Sequence, residues 1–386
     1  MTRTARVRVE APRRTGDVVE CAAEVRWPFR ASLFFHGRQR QRLWIRLPVD
    51  AGPDPVAVGD AFLLSTVFGA MRLCDRLHVH GTVSEDLLGH LAELGRLWHE
   101  RAPDRYRPAA LSADAVRPPV VATGPSVLTF SGGLDSAYSL WKHAGPRRDP
   151  TQPTLSACVM VGGFDCPVQE RDAFDAAFRR AQSMPSSLGV PLLRAETNVR
   201  VVKQYWSHSV TASIAAVLGL RRASHGRGLV GVGFTPEEAR RWWPQDETDP
   251  PLVSTAAFPV VADGWEADRF QKADAVATWP EALQTLRVCF RPGSWTANCG
   301  DCFKCWVVAF FLQIATGRPA PCFPREVGLV EAEQMIACGD PNLDLRLAQI
   351  LRHAKARGVD APWVGAIERA LAGRAAPPTG AHAPTP

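Results

Sequence analysis

The chain passes through stretches of different hydrophobic period. Residues 1–50 alternate apolar and polar positions in ARVRVE, VVECAAEV and RLWIRLP, the two-residue period of half-buried strands. A small β-rich opening is expected. Residues 58–73 and 84–99 turn to helical spacing; in the second, Leu87, Leu88, Leu91, Leu94 and Leu97 fall on about one face behind Ser84, which reads as an N-cap. From 101 to 125 the sequence is rich in Pro, Arg and Ala, and Pro103, Pro108, Pro118 and Pro119 interrupt any helix. A domain boundary is placed there.

Beyond it strands and helices alternate. The apolar run 127–130 precedes a helical segment from about 135 to 143, 155–161 precedes 170–184, 191–195 precedes 208–220, and 229–234 follows. Repeated βα steps of this length predict a parallel, doubly wound sheet, an α/β architecture whose ligands gather beyond the carboxyl ends of the strands. Phe174, Ala177, Phe178 and Ala181 share one helix face and read as core. Residues 240–253, RRWWPQDETDPPLV, are expected to form an irregular loop beside the sheet. The expected organisation is an N-terminal α+β accessory region (1–120), the α/β domain (121–317), a helical C-terminal region (318–373) and a disordered tail (374–386).

Composition bounds the function classes. With 386 residues, 46% apolar and 22% charged, the chain fits a globular protein of two or three domains or one large core with additions. No apolar run reaches the roughly 20 residues that cross a bilayer, and the Arg-rich start lacks the apolar core of a secretory signal, so a cytoplasmic protein with no membrane partner is expected. The net charge of +6 comes from 45 dispersed Lys and Arg residues. It permits a nucleic-acid partner and equally suits small anionic substrates.

One turn carries chemistry. Residues 127–141, VLTFSGGLDSAYSLW, deliver a strand through a small-residue loop into a helix start. Gly132 and Gly133 allow main-chain N–H groups to approach a ligand closely, and the helix start with Ser131, Asp135 and Ser136 offers the donors that phosphate needs. The plain alternative is a tight βα turn capped by Ser and Asp. Two other glycine-rich strand exits, at Gly162 and Gly163 and at Gly233, fall on the same sheet edge and either line the site or merely turn. Arg269 and Lys272 share a helix face that either meets solvent or neutralises a pyrophosphate leaving group.

Cys289, Cys299, Cys302 and Cys305 form C-x9-C-x2-C-x2-C. Four thiolates at this spacing point to a structural zinc site with every tetrahedral position filled; iron–sulfur clusters use similar runs. Cys21, Cys74, Cys158, Cys166, Cys322 and Cys338 read as core or incidental cysteines, and Lys304, inside the knuckle, as an exposed lysine. His78, His80 and His90 have neither Cys nor clustered carboxylates at ligand spacing and read as exposed or hydrogen-bonded histidines.

The SGGLDS turn resembles the PP-loop of the N-type ATP pyrophosphatases, and together with the cysteine motif it resembles the QueC family, the 7-cyano-7-deazaguanine synthases, over residues 125–316. The resemblance implies a PP-loop fold, adenylation of a deazapurine carboxylate such as 7-carboxy-7-deazaguanine by ATP and Mg²⁺, release of pyrophosphate, and attack by an amine. It assigns Ser131, Gly132, Gly133, Leu134, Asp135 and Ser136 to ATP and the four cysteines to Zn²⁺. Three departures stand out: about 120 residues precede the loop, a helical tail follows the knuckle from about 318 to 372, and GGFDCPVQE replaces the Tyr-Gly-Gln stretch of the family. Extended forms of this kind resemble the QatC proteins of bacterial antiphage systems, which implies a partner-protein amine as acyl acceptor in place of ammonia. Two rival readings are a tRNA-modifying PP-loop ligase or thiolase and a catalytically silent ATP-binding sensor or scaffold.

Overall fold

The alternating N-terminal strands pair into the same sheet as the βα units that follow them. The computed structural model describes residues 3–32, 38–202, 204–242, 244–289, 291 and 293–373; the tail expected at 374–386 lies outside the described residues. The strands are β1 (Thr4–Val9), β2 (Arg13–Thr15), β3 (Val18–Arg26), β4 (Arg40–Pro48), β5 (Arg76–Ser84), β6 (Ala110–Arg117), β7 (Ser126–Thr129), β8 (Leu155–Gly162), β9 (Leu192–Thr197), β10 (Arg227–Gly231) and β11 (Val260–Asp263). The helices are α1 (Phe29–Ser32), α2 (Pro55–Leu73), α3 (Glu85–Arg101), α4 (Leu134–Ala144), α5 (Arg171–Ser187), α6 (Trp206–Gly219) and α7 (Pro236–Trp242). They continue with α8 (Asp249–Leu252), α9 (Arg269–Val276), α10 (Pro280–Thr285), α11 (Phe303–Thr316), α12 (Leu329–Cys338), α13 (Pro341–Ala356) and α14 (Pro362–Ala372).

The eleven strands run in the order β11-β10-β7-β8-β9-β4-β3-β1-β5-β6, with β2 paired to β3. From β11 to β9 every pairing is parallel, which requires the helix-bearing crossovers that join these strands. β4 then joins β9 antiparallel through Ile45↔Thr197 and Arg46↔Glu196. Side chains reinforce this short seam: Thr197 Oγ1 donates to Trp44 O at 2.9 Å, and Asn198 Nδ2 donates to Arg42 O at 2.9 Å. The boundary expected at 101–125 falls where the chain leaves the outer edge strand β6 and enters β7, inside the parallel half.

Helices cover the sheet in two layers. On one face Val7, Val25, Ile45, Phe62, Phe68 and Leu77 share a core with Val127, Val159, Ala195 and Ala216 from beyond residue 120. On the other, Leu128, Phe130, Leu140 and Phe174 pack with Phe270, Phe310, Leu347 and Trp363, so α9, α11, α13 and α14 belong to that layer. A fully buried side chain such as Phe62 or Phe310 contributes about 2 kcal/mol of apolar burial. Among the described residues one helix, α2, is long and apolar enough to cross a membrane; 89% of that window is buried inside the protein, as a core helix is.

Four local readings change. Residues 110–117 form β6, an edge strand whose mostly exposed side chains give no apolar alternation, and Pro108 and Pro118 bracket it. Ser84 precedes α3 but caps nothing; its hydroxyl donates to Asp60 at 2.6 Å and its N–H at 2.7 Å, tying α2 to β5. The stretch 240–253 contains the end of α7 and the short α8, where Pro250 and Pro251 lie in the first turn and need no N–H partner. Asp249 fixes that turn, accepting from Trp98 Nε1 at 2.9 Å and Arg101 at 2.7 Å. The fourth is β11, whose four residues were too few to show a period.

Candidate active site

β7 ends at Thr129 and α4 begins at Leu134, so the SGGLDS turn projects from the carboxyl edge of the sheet between two parallel neighbours, β8 and β10. Gly132 has φ +74°, a left-handed angle that disfavours a side chain. Gly133 is the N-cap of α4. The serines brace the turn internally: Ser131 N–H donates to Ser136 Oγ at 3.2 Å, Gly133 N–H donates to Ser131 Oγ at 3.3 Å, and Ser136 Oγ donates to Gly133 O at 3.1 Å. Gly231, at the end of β10, lies so close that a Cβ there would sit 2.7 Å from Asp135 O.

Around the turn the fold gathers cations. Arg269 Nη2 donates to Asp135 Oδ2 at 3.2 Å, while Asp135 Oδ1 and Arg269 Nε, both buried, have no partner among the described residues. A side chain on Gly233 would collide with this pair. Lys272 is 0% exposed, and its ammonium donates to Val232 O. Burial lowers its pKa, against the attraction of Asp135. Burial also pushes Arg346 of α13 down to about 10, with Arg269 adding to the effect; its guanidinium lies 4.9 Å from the Phe234 ring centroid and 3.7 Å from Glu238. Lys304 is exposed, yet the protein crowding its ammonium, and Arg269, lower its pKa. Carboxylates including Asp135 and Glu238 offset part of this charge, and crowding the cations into a partly buried site remains unfavourable unless a further anion joins them. Such a site suits a phosphate chain.

The cysteine knuckle adjoins this cluster. Cys289 and Cys302 sulfurs are 4.0 Å apart, those of Cys299 and Cys305 are 3.9 Å apart, and all four lie within 4.8 Å of one another. Zinc–sulfur bonds of about 2.3 Å place tetrahedral ligands about 3.8 Å apart, so the set fits a zinc ion. Cys302 is the N-cap of α11, whose amide dipoles favour thiolate there. Asn298 holds the approach, accepting from the N–H groups of Val288 at 2.8 Å and Cys289 at 3.2 Å and donating to Leu286 O and Cys322 O at 2.9 Å each. Arg287 links knuckle to turn. Its N–H donates to Gly132 O at 2.9 Å and its guanidinium to Cys289 O at 2.8 Å.

The structure therefore brings Ser131, Gly132, Gly133, Leu134, Asp135, Ser136, Gly233, Arg269 and Lys272 to one place. Gly162 and Gly163 are spent on packing: the Phe174 ring lies 3.0 Å from where a Cβ on Gly162 would be, a Cβ on Gly163 would collide with Thr197 O, and the Gly163 N–H donates to Cys166 O at 2.8 Å. Sequence reasoning missed Arg346, which arrives from a helix read only as a tail, and passed over Lys304. It also missed Asp263 at the end of β11. Burial opposes ionisation of Asp263, but hydrogen bonds from His143 at 3.1 Å and Lys142 at 2.9 Å bring its pKa down to about 2. Only the adjacent Lys142 and His143 on α4 hinted at that network. Compared with protein-family models, curated proteins and solved structures, the chain matches none.

Proposed function

We propose that the chain is an ATP-dependent carbon–nitrogen ligase, QueC-like in chemistry, that adenylates a deazapurine-type carboxylate and passes the acyl group to an amine. The observation that carries this reading is the SGGLDS turn at the carboxyl edge, faced by Arg269, Lys272, Lys304 and Arg346. The substrate carboxylate attacks the α-phosphorus of ATP, the bond to the bridging oxygen breaks, and pyrophosphate leaves with the charge that these cations offset. The amine then attacks the acyl carbon, and AMP departs. Asp135, with one buried oxygen unpartnered, is the group to hold Mg²⁺, which would supply further charge neutralisation on the phosphates. The knuckle, with four thiolates filling a zinc ion's shell, has a structural role. A cytoplasmic setting, an antiphage context and a partner-protein amine as acceptor belong to the same proposal.

The test is pyrophosphate release with ATP, Mg²⁺ and 7-carboxy-7-deazaguanine, with ammonia or a protein amine as acceptor. Release that is abolished in Asp135→Ala and Ser131→Ala, without loss of fold, supports the reading; unchanged release in both variants overturns it. One observation favours a tRNA-directed enzyme. Arg40, Arg26 and Arg6 stand in direct register across β4, β3 and β1 on an exposed face. Like charges directly opposite are destabilising; Glu24, 3.9 Å from Arg40, offsets part of that charge, and an RNA backbone would offset the rest. Tight, steeply salt-dependent tRNA binding would select that alternative.

A further inference from the structure

We infer that the outer edge of the sheet carries a second metal site, for a divalent ion of the zinc class, held by His78 and His80 of β5 and Asp114 of β6. It lies in the N-terminal half and does not depend on the ligase reading.

The site follows from strand geometry. His78 and His80 are two residues apart on β5 and so share one face, while Val79 between them is 0% exposed and belongs to the core on the other. β6 runs parallel to β5 and sets Ser112 opposite His78, which carries Asp114, 36 residues away in sequence, to the same patch. His78 Nε2 is 2.9 Å and His80 Nδ1 is 3.3 Å from Asp114 Oδ1. All three ligand atoms lie within 4.8 Å of one another. Zinc held at about 2.0–2.1 Å by imidazole and carboxylate places tetrahedral ligands about 3.3 Å apart, so only small rotations are needed to close on an ion.

A second observation separates this patch from a chance meeting of polar side chains. His78 Nδ1 lies 2.9 Å from Ser112 Oγ, a hydroxyl able to accept the ring proton at Nδ1 when Nε2, now 2.9 Å from Asp114, gives up its own proton to bind an ion. The two imidazole rings are 4.5 Å apart at 75°, which lets their nitrogens approach one point from different directions. Three protein ligands leave a tetrahedral position open. Arg6 and Arg8 sit directly opposite His78 and His80 on β1. Their charge disfavours a bare cation and favours an ion completed by an anionic ligand, such as a carboxylate or phosphate oxygen.

Metal analysis of the full chain after dialysis against zinc tests the inference. Two ions per chain are expected, one lost in Cys302→Ser and the other in His80→Ala and Asp114→Asn. Asp114 is half exposed and Asn is its near isostere, so that variant keeps the test valid if His80→Ala does not fold. Ser112→Ala should weaken only the second ion, by about tenfold to a hundredfold. With cobalt, the first equivalent gives a thiolate charge-transfer band and the second only ligand-field bands. Saturation of the wild type at one ion, or a second ion that survives both His80→Ala and Asp114→Asn, overturns the proposal.

Discussion

The guanidinium of Arg269, on α9, reaches the carboxylate of Asp135, on α4, at 3.2 Å, and each group keeps one buried polar atom unpartnered among the described residues. The pair is therefore half satisfied. In the ligase reading phosphate takes the free edge of Arg269 and a metal ion takes the free oxygen of Asp135. Arg269→Met and Asp135→Asn should each slow single-turnover pyrophosphate release by about 10²–10³-fold. Because the two act together, the double variant should fall short of the product of the single effects. Fully multiplicative losses would mean that they act separately.

Arg346 tests whether the C-terminal helices belong to the site. Removing one member of a buried ion pair strands the other and is destabilising, so Glu238, 3.7 Å from Arg346, has to be neutralised with it. Compared with Glu238→Gln alone, the double variant Arg346→Met/Glu238→Gln should leave the thermal midpoint nearly unchanged and weaken ATP binding about tenfold, equivalent to about 1.4 kcal/mol. Calorimetric titration and a melting curve decide it. Unchanged ATP affinity would reduce α13 to a cover for the sheet.

Asp263 gives the fold a pH signature. Its carboxyl is held at about 2 in the folded chain, below the about 3.9 of an unfolded chain. The folded state therefore binds fewer protons, and the stabilisation is complete above about pH 4 and fades as pH falls toward 2. It amounts to about 2 kcal/mol. Asp263→Asn should lose that amount in urea unfolding at pH 7 and show a flatter loss of stability between about pH 4 and 2.

Removing the zinc ligand set should loosen the SGGLDS turn at a distance. Cys302→Ser, or a strong chelator, releases the segment that positions Arg287, and with it the 2.9 Å bond from Arg287 N–H to Gly132 O. Hydrogen exchange at Gly132 and Gly133 should quicken in step with metal loss. Exchange that stays slow after demetallation would show that the turn stands alone.

The parallel half of the fold and its turn were legible because β7 and α4 change period abruptly around six characteristic residues, and the knuckle because its cysteines are close in sequence. What escaped was whatever depends on long-range placement. Nothing local to Ile45 and Arg46 indicates that they pair with Thr197 and Glu196. Arg346 looks like any arginine of an amphipathic helix until α13 packs beside Phe234. Asp114 hides in a proline-flanked stretch without apolar alternation, so the histidines it joins seemed to lack a carboxylate.

The antiparallel seam between β4 and β9, with the core shared across it, predicts that the two halves unfold as one. Cutting the chain near residue 120 would bare the β9 edge and strip α2 from α6, exposing Phe62, Phe68 and Ala216 together. A shared core also transmits binding: a ligand that occupies the SGGLDS turn at a hundred times its dissociation constant adds about 2.7 kcal/mol to the cooperative unit. That increment would reach strands that never touch it. Slower proteolysis of the N-terminal strands in the presence of nucleotide would thus report occupancy of a loop on the far side of the seam.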